Sequence, residues 1–198
     1  MSIKYPVKEI FQSVQGEGLM VGHFVTFIRL AGCNLSCEWC DTKEAWDTDD
    51  VQYLEAEEIV DKLQTNIVVI TGGEPCIHDL SELIWVLRKR SHYIAIETNG
   101  TRPVPKGVDW ITCSPKPPLY KIHLDCRPNE LKYVVDKNFS IEVLDVPKSV
   151  CAIWLQPESS DMEENVKRIY RIIEHSKCQK YSHLLRMGFQ LHKLFGFK

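Results

Sequence analysis

Three cysteines, Cys33, Cys37 and Cys40, crowd into one short run with the spacing C-x3-C-x2-C, while the other five are scattered at 76, 113, 126, 151 and 178. Three thiolates so close together can wrap one compact inorganic core from a single loop, and Gly32 and Asn34 ease the turn. Soft sulfur donors select iron–sulfur clusters, zinc or copper(I). An electron-transfer cluster normally takes four cysteine ligands, but this run supplies three and stops at Asp41. One iron of a four-iron, four-sulfur cluster is then open to a substrate or cofactor, the arrangement of a reactive centre. Two other readings stand beside it. One is structural zinc closed by His23 or a distant cysteine; the other is a non-catalytic electron-carrying cluster with a remote fourth cysteine. Cys76 matters here, because a ligand at that position would fill the open corner. The scattered five otherwise read as small buried hydrophobes or incidental thiols.

The rest of the composition narrows the class. A chain of 198 residues with 44% hydrophobic and 26% charged residues suits one ordinary globular domain, spanning 1–198. A net charge of −3 offers no general attraction to phosphate, so neither nucleic acid nor an anionic membrane is an expected partner. No apolar stretch approaches the roughly 20 residues that span a bilayer, and residues 1–10 alternate polar and apolar without a signal-peptide core. A cytoplasmic protein is expected, and its crowded thiols then argue for a metal site over a disulfide.

These chemical residues need a scaffold. Short Val- and Ile-rich runs at Phe24–Leu30, Ile67–Ile70, Tyr93–Glu97, Trp110–Cys113, Leu131–Val135 and Val150–Leu155 read as strands. Helical spacing appears over Leu54–Gln64, over Asp79–Arg90 with Asp79 as N-cap, and over Asp161–His175. The alternation predicts an α/β fold with mainly parallel strands, whose apolar runs suit a sheet covered on both faces. Six strands with three good helices predict a partial, open (β6/α3-like) barrel. The unusual polar segments follow these strands directly: AGCNLSCEWCDTK, TGGEP, TNG, SPK and QPE. Parallel sheets place their chemistry at that edge, so segments distant in sequence share one rim.

The C-x3-C-x2-C run after a first strand, with GGEP after the second, resembles the radical S-adenosylmethionine superfamily. The segments IFQSVQGEG, FIRLAGCNLSCEWCDT, TGGEP, ETNG and SPK are similar, more closely, to its 7-carboxy-7-deazaguanine synthase family. The resemblance implies a lyase carrying a 4Fe-4S cluster, S-adenosyl-L-methionine and Mg2+. It implies contraction of a 6-carboxytetrahydropterin ring with loss of ammonia, on the route to queuosine and other 7-deazapurines. It also implies a homodimer and a reducing partner such as flavodoxin or ferredoxin.

Residue by residue, Cys33, Cys37 and Cys40 would hold the cluster and Thr42 the magnesium, since its hard oxygen suits that ion. Thr42 reads equally as the cap of a local turn. The cofactor would meet Glu38, Trp39, Cys40, Gly72, Gly73, Glu74, Glu97, Ser114, Pro115, Lys116 and Gln156, with Glu74 either receiving an amino group or orienting its loop. Substrate would meet Val14, Gln15, Gly16, Glu17, Arg29 and Thr71. Among these Arg29 suits a carboxylate, or a structural acid, and Gln15 with Glu17 suits the donor–acceptor edge of a pterin. No dedicated side-chain acid or base is expected. A glycyl-radical activating enzyme is the rival of the same chemistry, but the Gln15–Gly18 loop, Arg29 and Thr42 favour a small carboxylated substrate. Gln190, His192 and Lys193 resemble the family's closing segment or form a polar helix face. The family often ends in proline where Lys198 stands here, which puts contacts from that end in question.

Overall fold

The computed structural model describes residues 2–176 and 180–198; Cys178 lies outside them. Nine strands form one sheet: β1 (Lys4–Val14), β2 (Phe24–Leu30), β3 (Gln52–Glu55), β4 (Ile67–Gly72), β5 (Tyr93–Thr98), β6 (Trp110–Cys113), β7 (Glu130–Val135), β8 (Ala152–Pro157) and β9 (Leu185–Met187). The six expected strands are the central run β2-β4-β5-β6-β7-β8, all parallel neighbours. β9 adds a parallel edge, and β1 and β3 add an antiparallel one. β3 and β9 stand at opposite ends of the order without pairing, so the barrel is open, as expected.

Among the described residues four α-helices accompany the sheet: α1 (Ala56–Val60), α2 (Ser81–Lys89), α3 (Met162–His175) and α4 (Leu191–Phe195). The expected helix over 54–64 is cut at both ends. Leu54 and Glu55 pair with Tyr5 and Lys4 as strand, and Glu55 then caps α1 reciprocally with Glu58. Helical spacing cannot register a pairing with a strand fifty residues earlier. Asp79, expected as the N-cap, stands two residues before α2 begins at Ser81, with Leu80 in the cap position; it accepts from the Ser81 amide at 3.0 Å and from its hydroxyl as a local turn.

The strands bury two different faces, because alternate side chains point to opposite sides. Toward the helices, Ile28, Leu30, Ile70, Ile96, Leu131 and Leu155 pack with Leu83 and Leu87 of α2 and Ile169 of α3 in the main core. The other face holds only a small cluster of Val25, Phe27, Val69 and Ala95, with Phe11 and Trp110 against it. Further along the same strands that face turns polar at Arg29, Thr71, Glu97, Thr112 and Lys132. The sheet is therefore not apolar on both sides along its length, which corrects the expectation from its near-continuous apolar runs.

Candidate active site

The polar ends of these strands open into a cavity of about 270 Å³, bordered by the loops after β2, β4, β5, β6 and β8 and by residues from both ends of the chain. The loop carrying the three cysteines is pinned at its base. Gly32 N–H donates to the Ala45 carbonyl at 2.9 Å, Gly73 N–H to Leu30 at 3.1 Å, and Glu74 N–H to Gly32 at 2.8 Å. The two glycines after β4 are required by this closeness. A Cβ on Gly72, whose φ is +140°, would fall 1.9 Å from the Leu30 oxygen, and one on Gly73 would fall 2.2 Å from that of Gly32.

Cys33, Cys37 and Cys40 all line the cavity, and Cys76, Cys113, Cys126 and Cys151 do not. Burial raises the pKa of the Cys33 and Cys37 thiols. Cys76 is packed in the main core, and burial followed by the charge of Glu74 drives its thiol far above the ordinary range. It is an apolar side chain in this setting. His23 precedes β2 whereas the cysteines follow it, so roughly 20 Å of strand separates them. Among the described residues no three His, Cys, Asp or Glu side chains converge as a single-ion site. Three soft donors facing one cavity, with the other described thiols excluded, fit a cluster held at three corners.

The cavity wall opposite is a hydrogen-bonded polar array. Gln15 Nε2 donates to Glu97 Oε1 at 3.0 Å, and Thr71 Oγ1 donates to Glu97 Oε2 at 3.2 Å. The Gln15 oxygen accepts from Glu17 N–H at 3.2 Å. Lys132 forms an ion pair with Glu17, whose other oxygen accepts from Gln190 at 2.7 Å. Arg29 pairs with Glu9 at 2.8 Å and lies 5.6 Å from the centre of the Phe11 ring. The structural acid weighed for Arg29 is thus present, and the arginine still borders the cavity. Lys116 bonds Ser114 Oγ and stands 5.3 Å from the centre of the Trp39 ring. Burial, then the charge of Lys132, lowers its pKa.

Thr42 makes no capping bond to the turn that follows it; its hydroxyl is 3.3 Å from Asp41 Oδ1. Asp41 is partly desolvated, which works against its charge, but Lys193 at 3.1 Å outweighs this and holds its pKa at about 2. Half of the Asp41 side chain (52%) remains exposed, so solvent screens the pair.

Of the expected site residues, all but Glu38, Glu74 and Pro115 line the cavity. Glu38 is exposed. Glu74 is fully buried and both its oxygens are taken by the chain itself: Oε1 by Cys76 N–H at 2.9 Å and Thr98 Oγ1 at 2.7 Å, Oε2 by Asn99 N–H at 2.5 Å. Of its two expected roles, orienting the loop is the one its geometry fits. The cavity also takes in Lys132, which sequence reasoning missed, and Asp41 and Asn99, which lie in the expected rim segments but were given no role. Gln190, His192, Lys193 and Lys198 reach it as well, so the closing segment is part of the wall.

Residues 27–135 match the model of the radical SAM superfamily. Over 99% of its length the chain is 36% identical to 95% of the 7-carboxy-7-deazaguanine synthase of Synechocystis sp.. The Aquifex aeolicus enzyme of the same name is 37% identical, over 97% of this chain and 94% of its own. The chain belongs to the radical S-adenosylmethionine superfamily, in its 7-carboxy-7-deazaguanine synthase family. A crystal structure of QueE from Escherichia coli superposes with a TM-score of 0.76, at 31% identity over 94% of both chains. Membership makes this a radical S-adenosylmethionine lyase that carries a 4Fe-4S cluster and S-adenosylmethionine. No helix among the described residues is long and apolar enough to cross a membrane.

Proposed function

We propose that the chain, acting as a single domain, contracts the ring of 6-carboxy-5,6,7,8-tetrahydropterin to give 7-carboxy-7-deazaguanine with loss of ammonia. The observation that carries this reading is the juxtaposition of the three-thiol loop with the Gln15–Glu17–Glu97–Thr71 array in one cavity. When bound, the reduced cluster and S-adenosylmethionine would supply radical chemistry able to remove a hydrogen atom from the pterin. Everything else is positioning and exclusion of water by this chain.

Cys33, Cys37 and Cys40 hold the cluster. Trp39, Gly72, Gly73, Glu97, Ser114, Lys116 and Gln156 meet the cofactor from the strand ends, and Glu74 shapes the loop on which Gly73 stands. Val14, Gln15, Gly16, Glu17 and Thr71 face the substrate. Gln15 supplies an amide and Glu17 a carboxylate for the donor–acceptor edge of the ring. Arg29, steered by Glu9 through Nε, keeps other guanidinium hydrogens for the substrate carboxylate. Thr42, free of any capping bond, would offer its hard oxygen to Mg2+, whose chemistry there would be to hold a substrate carboxylate. A homodimer, a cytoplasmic setting and a one-electron donor such as flavodoxin or ferredoxin complete the reading. Exposed Leu194 and Phe195 beside the closing segment support a protein partner there.

A cavity of about 270 Å³ lined by polar strand ends favours a small heterocycle over the protein substrate of a glycyl-radical activating enzyme. Anaerobic incubation of reconstituted, reduced protein with the carboxypterin is the test. A pyrrolopyrimidine product is expected; its absence overturns the reading.

A further inference from the structure

Lys132 rises from β7 on the polar side of the sheet and has no part in the assignments above. Its ammonium is bonded to Glu17, and the two side chains retain only 16% and 10% exposure. Around them stand two more carboxylates. Glu97 is joined to the Glu17 loop through Gln15, and Asp41 shares the Gln190 amide with Glu17 at 3.3 Å. Asp41 has Lys193 and solvent, but Glu17 and Glu97 both act on Lys132, and without that buried cation desolvation and like charge both favour protonation. A protonated Glu17 would present a donor where an N–H-rich ring edge needs an acceptor.

We infer that Lys132 is a positioning residue: it keeps Glu17 ionised and aimed into the cavity, so that the Gln15–Gly18 loop accepts from the N–H edge of a 2-amino-4-oxopyrimidine-type ring. This rests on the reading of that loop as the substrate contact. The charges agree with the geometry. Burial works against the Lys132 ammonium, but Glu17 and Glu97 outweigh it and hold its pKa above the usual lysine range, so it is a fixed cation and not a proton donor. Burial likewise works against the Glu17 carboxylate, yet Lys132 and then Gln190 hold its pKa below the ordinary value. The groups facing Glu17 are Lys132 from β7, Gln190 from the segment before α4, Asp41 from the cysteine loop, and His192 of α4, which packs on Gly16.

The test is anaerobic equilibrium binding of the carboxypterin to the reconstituted holoenzyme without reductant, across about pH 6 to about pH 8.5. Wild-type affinity is expected to be flat, because Glu17 is ionised throughout. In Lys132→Met the Glu17 pKa rises into the range, so affinity falls at least about tenfold as pH drops, while Lys132→Arg stays flat. In a Glu17→Gln background, Lys132→Met is expected to change affinity less than about threefold, because its route of action is gone. That double variant leaves no Glu17 charge without its cation, and it carries the test if Lys132→Met does not fold. A parallel pH profile in Lys132→Met, or a larger loss in the Glu17→Gln background, overturns the inference while leaving the proposed substrate intact. Absence of pterin binding to the wild type removes both.

Discussion

Neighbouring residues on one strand of this protein serve different ends. Ile28, Ile70, Ile96 and Leu131 face the helices and are fully buried in the main core. Arg29, Thr71, Glu97 and Lys132, each the next residue along, face the cavity. The register keeps the second set in line: Arg29 sits opposite Thr71, and Glu97 opposite Thr112. A parallel sheet thus uses its period of two to hold a reactive wall on the back of an apolar one. Rigidity of the apolar wall is what fixes the polar wall to within hydrogen-bond tolerance.

The comparison can be broken hardest at the cysteine loop, which belongs to neither wall. Cys40→Ala removes one of three cluster ligands and is expected to abolish turnover, with iron and labile sulfide content falling sharply in anaerobically prepared protein. Retained iron with activity would show that another residue closes the cluster. The next test sets neighbours against each other. Ile70→Ala is expected to cost about 2–5 kcal/mol in denaturant unfolding, with KM for the carboxypterin unchanged in the folded fraction. Thr71→Ala is expected to cost under about 1 kcal/mol and to raise KM about three- to tenfold, because only one bond to Glu97 is lost. Equal stability losses would dissolve the distinction between the walls. A smaller effect is expected from Thr42→Ala: a several-fold loss of activity with magnesium present, and none of the response to added magnesium that the wild type gives. A wild-type response would remove Thr42 from that role.

The apolar wall was legible in the sequence because its side chains repeat within each strand, and the cysteine loop because its ligands are contiguous. Legibility failed where a residue's meaning lies in a distant partner. Lys132 lies in a run read only as the strand Leu131–Val135, and its partner Glu17 lies more than a hundred residues earlier. Glu74 looks like a cofactor ligand because it follows two glycines, yet it spends both oxygens on the backbone and Thr98. β1 showed its alternation, but an eleven-residue strand that pairs with both β2 and a segment of helical spacing is a tertiary fact.

The polar wall is itself divided, and the smallest prediction concerns where. Below the cavity, Glu130 is almost fully buried and accepts from Leu19 N–H at 2.9 Å, Trp110 Nε1 at 3.1 Å, Thr112 Oγ1 at 2.8 Å and Trp154 Nε1 at 2.7 Å. Gly18, with φ at +70°, lies so close that a Cβ there would fall 2.4 Å from Glu130 Oε1. Four donors from two strands and one loop make this carboxylate an anchor for the substrate-facing turn, not a reactant. Thr112→Val keeps the shape and deletes one donor, so it is expected to cost about 0.5–1.5 kcal/mol of stability. The KM for the carboxypterin should stay within twofold or so of wild type, since three donors still hold Glu130 in place. A large rise in KM with unchanged stability would move Glu130 and Thr112 from the scaffold into the binding surface, and the boundary between anchor and reader would lie one residue deeper along β6 and β7.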